Sequence, residues 1–266
     1  MEQNVSELNT ARVVAQHRGK YRVITGNKEL WAEVTGKTIY NAVSALDYPV
    51  VGDLVNIIET GYDNAIIEGV LPRINILQRK SAGKSDVQPI ASNIDTAFIV
   101  QAVDRDFNLN RFERYLTIVE AAKINPVLVL NKSDLILPEE LKEKIVLMET
   151  RFKDIPIITT SIFAENGIDN ITKAIKPGQI YCLLGSSGVG KSSLINKLLG
   201  RELIETKEIS SKTKKGKHTT THRELFVLGD GGMIIDNPGM REIGLADAKE
   251  GISNVFLEIE QIGSPI

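Results

Sequence analysis

Apolar residues change their spacing partway along this chain. In residues 11–71 they fall in short runs with period-two alternation, broken by turn residues. Residues 12–15, 21–24, 29–34, 53–58 and 65–70 read as strands. The breaks at His17-Arg-Gly, Gly26-Asn, Gly36-Lys, Gly52-Asp and Gly61-Tyr-Asp-Asn read as turns. Many short strands in so little chain predict a small all-β barrel of the oligonucleotide/oligosaccharide-binding (OB) type, with a polar tail in front of it. Pro72 and the polar stretch after it break this pattern, so residues 73–92 are expected to be a linker. A longer period then begins. Residues 93–103 end in a nearly continuous apolar strand, and apolar positions 109, 112, 115, 116, 118 and 119 form a helical stripe. Strands are predicted at 126–130, 155–159, 179–184 and 233–236, and helices at 138–152, 167–174 and 194–199. This alternation predicts an α/β fold, a mostly parallel sheet with helices on both faces, over residues 93–245. Residues 246–266 read as a helical tail.

Within the α/β part, residues 185–193 read Gly-Ser-Ser-Gly-Val-Gly-Lys-Ser-Ser, between a predicted strand and a predicted helix. That is the phosphate-loop pattern in the context it needs. Gly185, Gly188 and Gly190 let the backbone curl, so that N–H groups from Ser186, Ser187, Val189 and Ser193 can surround a phosphate chain. The positive end of the next helix adds to that field. Lys191 is placed to reach the β and γ phosphates, and the Ser192 hydroxyl to hold Mg²⁺.

A second group sits at a strand end, Asn131-Lys132-Ser133-Asp134. A carboxylate at Asp134 can accept from guanine N1–H and from the 2-amino group. Adenine offers neither donor, and the carboxylate would be left unpaired. Lys132 can lay its stem on the base, and Asn131 can tie this loop to the phosphate loop. The next strand ends in Thr160-Ser161-Ile162, where a backbone N–H can meet guanine O6. Residues 210–223 contain no apolar residue. They read as a switch segment in which Thr220 completes the Mg²⁺ shell when a γ-phosphate is present. Asp236, ending an apolar strand, can hold Mg²⁺ through water, and the Gly239 N–H can sense the γ-phosphate. Many GTPases place a water-orienting glutamine just after this motif. Here Met240 stands there, and His218 in the threonine segment is the candidate substitute, with Lys191 neutralising charge.

The order of these parts is unusual. The base-reading group precedes the phosphate loop, and the same sheet then requires a circularly permuted chain. The permuted order behind a small barrel resembles the RsgA/YjeQ family of ribosome-small-subunit-dependent GTPases. The resemblance implies a permuted P-loop GTPase domain that hydrolyses GTP to GDP and phosphate, with Mg²⁺, on the small ribosomal subunit and its rRNA during late assembly. It also points to His218. That family continues into a Cys/His zinc domain. This chain has no cysteine beyond Cys182 and no histidine beyond His222, so zinc is not expected.

Charge bears on the partner. The net charge of −2 makes the chain no polycation, so nucleic-acid contacts must come from local patches. On the barrel, Arg12, Arg18, Lys20, Arg22 and Lys37 are the RNA-contact candidates, with Lys28, Tyr21 and Trp31 beside them. Arg73, Arg79, Lys80 and Lys84 make the linker basic. A lone cysteine permits no internal disulfide and fits a reducing compartment. No apolar run is long enough for a bilayer, and the N-terminus has no signal pattern, so a cytoplasmic monomer is expected. Two other classes fit part of the pattern. One is a GTP-dependent RNA-binding switch with negligible catalysis. The other is a P-loop ATPase or kinase, which would have no need of Asn131-Lys-Ser-Asp134.

Overall fold

A computed structural model describes residues 9–17, 19–80, 87–104, 107–202 and 223–236. Five strands, β1 (Asn9–Gln16), β2 (Tyr21–Thr25), β3 (Lys28–Val34), β4 (Leu54–Glu59) and β5 (Asn64–Val70), pair in the order β1-β2-β3-β5-β4. Pairing of β1 with β4 closes the ring. The alternating residues Ala11, Val13, Tyr21, Val23, Leu30, Ala32, Val55, Ile57, Ala65 and Ile67 all point into one core. The period-two pattern therefore folds as a closed barrel because each strand has a single apolar face to bury. A short helix, α1 (Gly36–Asn41), lies between β3 and β4; the sequence pattern gave no hint of it.

The α/β part follows the longer period. β8 (Thr96–Ala102), β9 (Asn125–Asn131), β10 (Ile157–Thr160), β11 (Ile180–Leu184) and β13 (Met233–Asp236) run parallel in the order β10-β9-β8-β11-β13. β12 (Glu224–Val227) is antiparallel to β13. α2 (Leu109–Ala121) and α3 (Pro138–Arg151) cover one face, α4 (Asp169–Ala174) and α5 (Lys191–Leu199) the other. The middles of the strands are apolar in near-continuous runs because successive residues enter opposite cores. Ile180, Cys182 and Leu184 pack with α2, whereas Tyr181 and Leu183 pack with α5.

One expectation is corrected. Residues 73–92, read as a linker, contain a hairpin of β6 (Ile76–Lys80) and β7 (Val87–Ser92). Leu77, Ile90 and Ala91 bury in the same core as α2, and that burial outweighs the basic, turn-like composition around them.

The barrel and the sheet are joined at two places. At a bulge near Val13 and Ala15, Val14 turns out of the barrel into the α/β core, and Ala15 pairs with Glu224 of β12. Beside it lies a buried polar seam. Asp53 is fully buried and accepts two bonds from Arg73, Nε at 2.8 Å and Nη2 at 2.7 Å. It also accepts from the Val50 N–H at 2.8 Å and from the Ser92 hydroxyl. Gly52 has a φ of 97°, and a Cβ there would strike the Ser92 carbonyl oxygen. Only glycine lets β7 approach the barrel so closely.

Candidate nucleotide-binding site

β8, β9, β10, β11 and β13 all release their carboxyl ends on one edge of the parallel sheet, where such folds collect ligands. The phosphate loop leaves β11 there. Gly185, Gly188 and Gly190 have φ of 147°, 87° and 97°, so the loop is built from positive-φ glycines and turns its amides to one side. A Cβ at Gly185 would meet the Val100 carbonyl, and one at Gly190 would meet the Asn131 side-chain amide. α5 begins at Lys191 on a Gly190 cap that gives no side-chain hydrogen bond. Its first-turn N–H groups thus face the loop for an anion to use. Lys191 Nζ donates to the carbonyls of Gly185 and Ser186, both at 2.6 Å, which holds the ammonium across the loop mouth. Val189 is buried, whereas Ser187 and Gly188 are exposed on the rim. Ser192 and Ser193 are half-buried in the first turn of α5.

The Asn131-Lys132-Ser133-Asp134 group is brought to this loop by one buried side chain. Asn131 ends β9 and donates Nδ2 to the Val189 carbonyl at 2.7 Å. Its Oδ1 accepts from the Thr160 hydroxyl at 2.9 Å, which fixes the direction of the amide. Lys132 then adopts a φ of 60°, a left-handed turn that starts the next loop. Its ammonium lies 3.5 Å from an Asp104 carboxylate oxygen. Ser133 donates to the Thr160 carbonyl at 3.2 Å. Asp134 is exposed, and Ser161 Oγ donates to its Oδ1 at 2.5 Å.

Ser161 carries more than the sequence indicated. Its hydroxyl also accepts from the N–H groups of Phe163 and Ala164, both at 3.1 Å, and its own N–H donates to the Gly167 carbonyl at 2.8 Å. Gly167 makes that bond possible, because a Cβ there would collide with the Ser161 carbonyl. Asp104 was not singled out from the sequence, and Thr160 was read only as part of the 160–162 strand end, not as a partner of Asn131. Thr160 is buried, and no spacing rule connects it with Asn131, 29 positions away.

Asp236 ends β13, which pairs with the strand feeding the phosphate loop, Cys182 opposite Ile235. The Ser192 hydroxyl and the Asp236 carboxylate are hard oxygen donors of the kind Mg²⁺ takes alongside phosphate oxygens. Among the described residues no group of three or more His, Cys, Asp or Glu side chains could hold a metal by itself. His218, Thr220, Gly239 and Arg18 lie outside the described residues, as do Lys84 and the 246–266 tail.

The barrel candidates divide. Arg12 donates to the Gly52 carbonyl at 2.8 Å, and burial lowers its pKa against the pull of Asp95 and Asp53. Arg22 bridges Glu29 at 2.5 Å and Glu224 at 2.9 Å. Both are engaged within the fold. Lys20 is exposed in a pair with Glu33, Lys37 is exposed on α1, and Trp31 is 43% exposed while Tyr21 is buried. Cys182 is buried in β11, which pushes its thiol up to about 12. Among the described residues no helix is long and apolar enough to cross a membrane.

Comparison with known proteins bears on the family and the fold. A family model described as RsgA GTPase matches residues 70–246. A protein of Lactiplantibacillus plantarum named small ribosomal subunit biogenesis GTPase RsgA 2 is 43% identical, over 87% of this chain and 65% of its own length. One of the same name from Listeria monocytogenes is 38% identical, over 98% of this chain and 73% of its own length. The crystal structure of YjeQ from Thermotoga maritima superposes with a TM-score of 0.70 at 22% identity, covering 97% of this chain and all of that one. The fold is thus the same. The chain spans between three fifths and three quarters of the two relatives' lengths.

Proposed function

Because the chain belongs to the RsgA GTPase family, we propose that it hydrolyses GTP to GDP and phosphate on the small ribosomal subunit during late assembly. The observation that carries this is the Asn131–Val189 bond. It ties the strand end before Asp134 to the phosphate loop, which supports a guanine nucleotide as the ligand spanning the two.

The residues divide the work. Asp134 accepts from guanine N1–H and the 2-amino group, and Ser161 holds its carboxylate in line. Among the loop amides 161–164, those of Ser161, Phe163 and Ala164 are already engaged, so the Ile162 N–H is the donor for O6. Lys132 packs on the base. The amides of residues 185–193 and the Lys191 ammonium take the phosphates, and on their arrival Lys191 exchanges loop carbonyls for phosphate oxygens. Ser192, Thr220 and Asp236 are the residues to hold Mg²⁺, the last through water, and Gly239 senses the γ-phosphate. Mg²⁺ when bound neutralises charge on the β and γ phosphates. His218 orients the attacking water in place of Met240. The partner is the small subunit and its rRNA, and the setting is the cytoplasm.

The test is GTP turnover by this chain alone and with purified small subunits. Strong stimulation is expected, and His218→Ala is expected to lower it with little change in GTP affinity. Tight GTP binding without stimulation would favour a binding switch instead. ATP competing equally with GTP would overturn the guanine reading.

A further inference from the structure

A cleft of about 410 Å³ opens where the barrel meets the β6–β7 hairpin. Gln16, Tyr21 and Ile39 line it from the barrel side, Gln88 and Pro89 from the hairpin, and Arg223 from just before β12. Arg223 Nη1 donates to the Pro89 carbonyl at 2.9 Å. Burial lowers the Arg223 pKa, and the like charge of Arg79 lowers it further. Arg79 in turn donates to Gln88 at 2.8 Å. Among the described residues no carboxylate pairs with Arg223. Two other arginines of this junction differ. Arg22 has Glu29 and Glu224, and Arg73 has Asp53. A half-buried cation beside a second cation, with a carbonyl for company, carries a desolvation cost that an incoming anion would offset.

The lining says which anion. Gln16 and Gln88 present side-chain amides, the Gln88 oxygen already accepting from Arg79, and Ile39 and Pro89 present apolar surface. That mixture suits a base edge and a base face together. The volume is that of a small-molecule site. Lys20 adjoins the lining residue Gly19 and is exposed, and its exposed pair with Glu33 costs little to open toward a neighbouring phosphate.

We propose that this cleft binds one nucleotide unit of single-stranded RNA, with its phosphodiester on Arg223 and its base against the amide and apolar wall. The inference rests on the reading above in taking RNA as the partner. Its consequence for the nucleotide site is positional. Arg223 precedes Glu224, which pairs with Ala15 of the barrel on one side and Asp236 on the other. An occupant of the cleft therefore bears on the strand beside the Mg²⁺-site candidate.

The test measures binding of a fluorescent single-stranded RNA, about eight nucleotides long, to the whole chain in the absence of GTP across a salt series. Arg223→Gln should weaken binding about fivefold to tenfold and lower the salt slope by about 0.7, the share of one phosphate on a single strand. Ala45→Trp narrows the cleft without removing a charge, since Ala45 lines it and is exposed, and should weaken RNA binding to a similar degree. Both variants should bind fluorescent GDP as the parent does, which shows that they are folded. AMP that displaces RNA from the parent but not from Arg223→Gln would mark a single nucleotide as sufficient, in support. Unchanged RNA affinity and slope in either variant overturns the proposal. So does equal, Arg223-dependent binding of a poly-glutamate peptide, which would make the cleft a site for acidic protein. Because GTP is absent throughout, failure of the hydrolysis reading leaves these results separate.

Discussion

In the proposed reading, Asp134 alone decides between guanine and other bases. Its carboxylate is exposed, so its selectivity depends on what aims it, and Ser161 Oγ does so at 2.5 Å. Asp134→Asn replaces an acceptor pair by one acceptor and one donor. Guanine's 2-amino group then meets an amide N–H, so GDP affinity should fall by about 1.5–3 kcal/mol, the worth of a hydrogen bond to a charged group. Xanthine has an acceptor at that position, and XDP should gain. Calorimetric titration with GDP and XDP checks both, and an unchanged preference would remove Asp134 as the base reader. Ser161→Ala leaves the carboxylate in place but unaimed. A smaller loss of GDP affinity is expected, about tenfold, without any gain for XDP. The motif residues were legible because their spacing follows from the ligand's own dimensions. The Thr160–Asn131 bond and the Asp104–Lys132 contact were not, because they come from the end of β10 and from the loop after β8, and only the folded sheet brings them near.

At the scale of elements, the seam between the barrel and the hairpin gives the firmest expectation. Arg73 and Asp53 are 16% and 0% exposed, and Asp53 takes its bonds from Arg73, Val50 and Ser92 at once. Arg73→Ala strands a buried carboxylate, a loss of about 3–5 kcal/mol. In a chain of this size that lowers Tm by roughly 10 °C. Arg73→Lys keeps the charge but not the two-pronged bond and should fall between. Thermal unfolding of the two variants decides it, and a Tm within a degree or two of the parent would show the seam to be dispensable. The five barrel strands could be read from alternation because each buries one face. β6 could not, because its apolar content is confined to Ile76 and Leu77 and its pairing partner is supplied by β7. β12 was equally hidden, since four residues between β13 and β1 leave too short a pattern to register a period.

For the molecule as a whole, the question is whether the barrel and the α/β part unfold separately. Sequence alone suggested two modules joined by a linker. The structure instead continues one hydrogen-bonded sheet from β10 through β12 into β1, and buries Val14 of the barrel strand in the core under α2. Shared burial of this kind couples the stabilities of the parts it joins. Cys182 offers a probe at the centre of that sheet. Its thiol is buried and pushed up to about 12, so alkylation in the native state is suppressed both by access and by scarcity of thiolate. Raising the pH from 7 to 9 should therefore leave native labelling slow, whereas the unfolded chain labels readily over that range. Labelling then reports the population of the opened state. If the two parts open together, Arg73→Ala, made at the barrel seam, should speed labelling of Cys182 about a hundredfold or more, since each 1.4 kcal/mol is tenfold. If they open independently, the seam variant would expose the barrel while Cys182 labels at the parental rate. The continuous sheet favours the first outcome. It also gives a physical reason for a barrel-bound partner to be felt at the nucleotide site, because Ala15, Glu224 and Asp236 stand side by side across three adjacent strands.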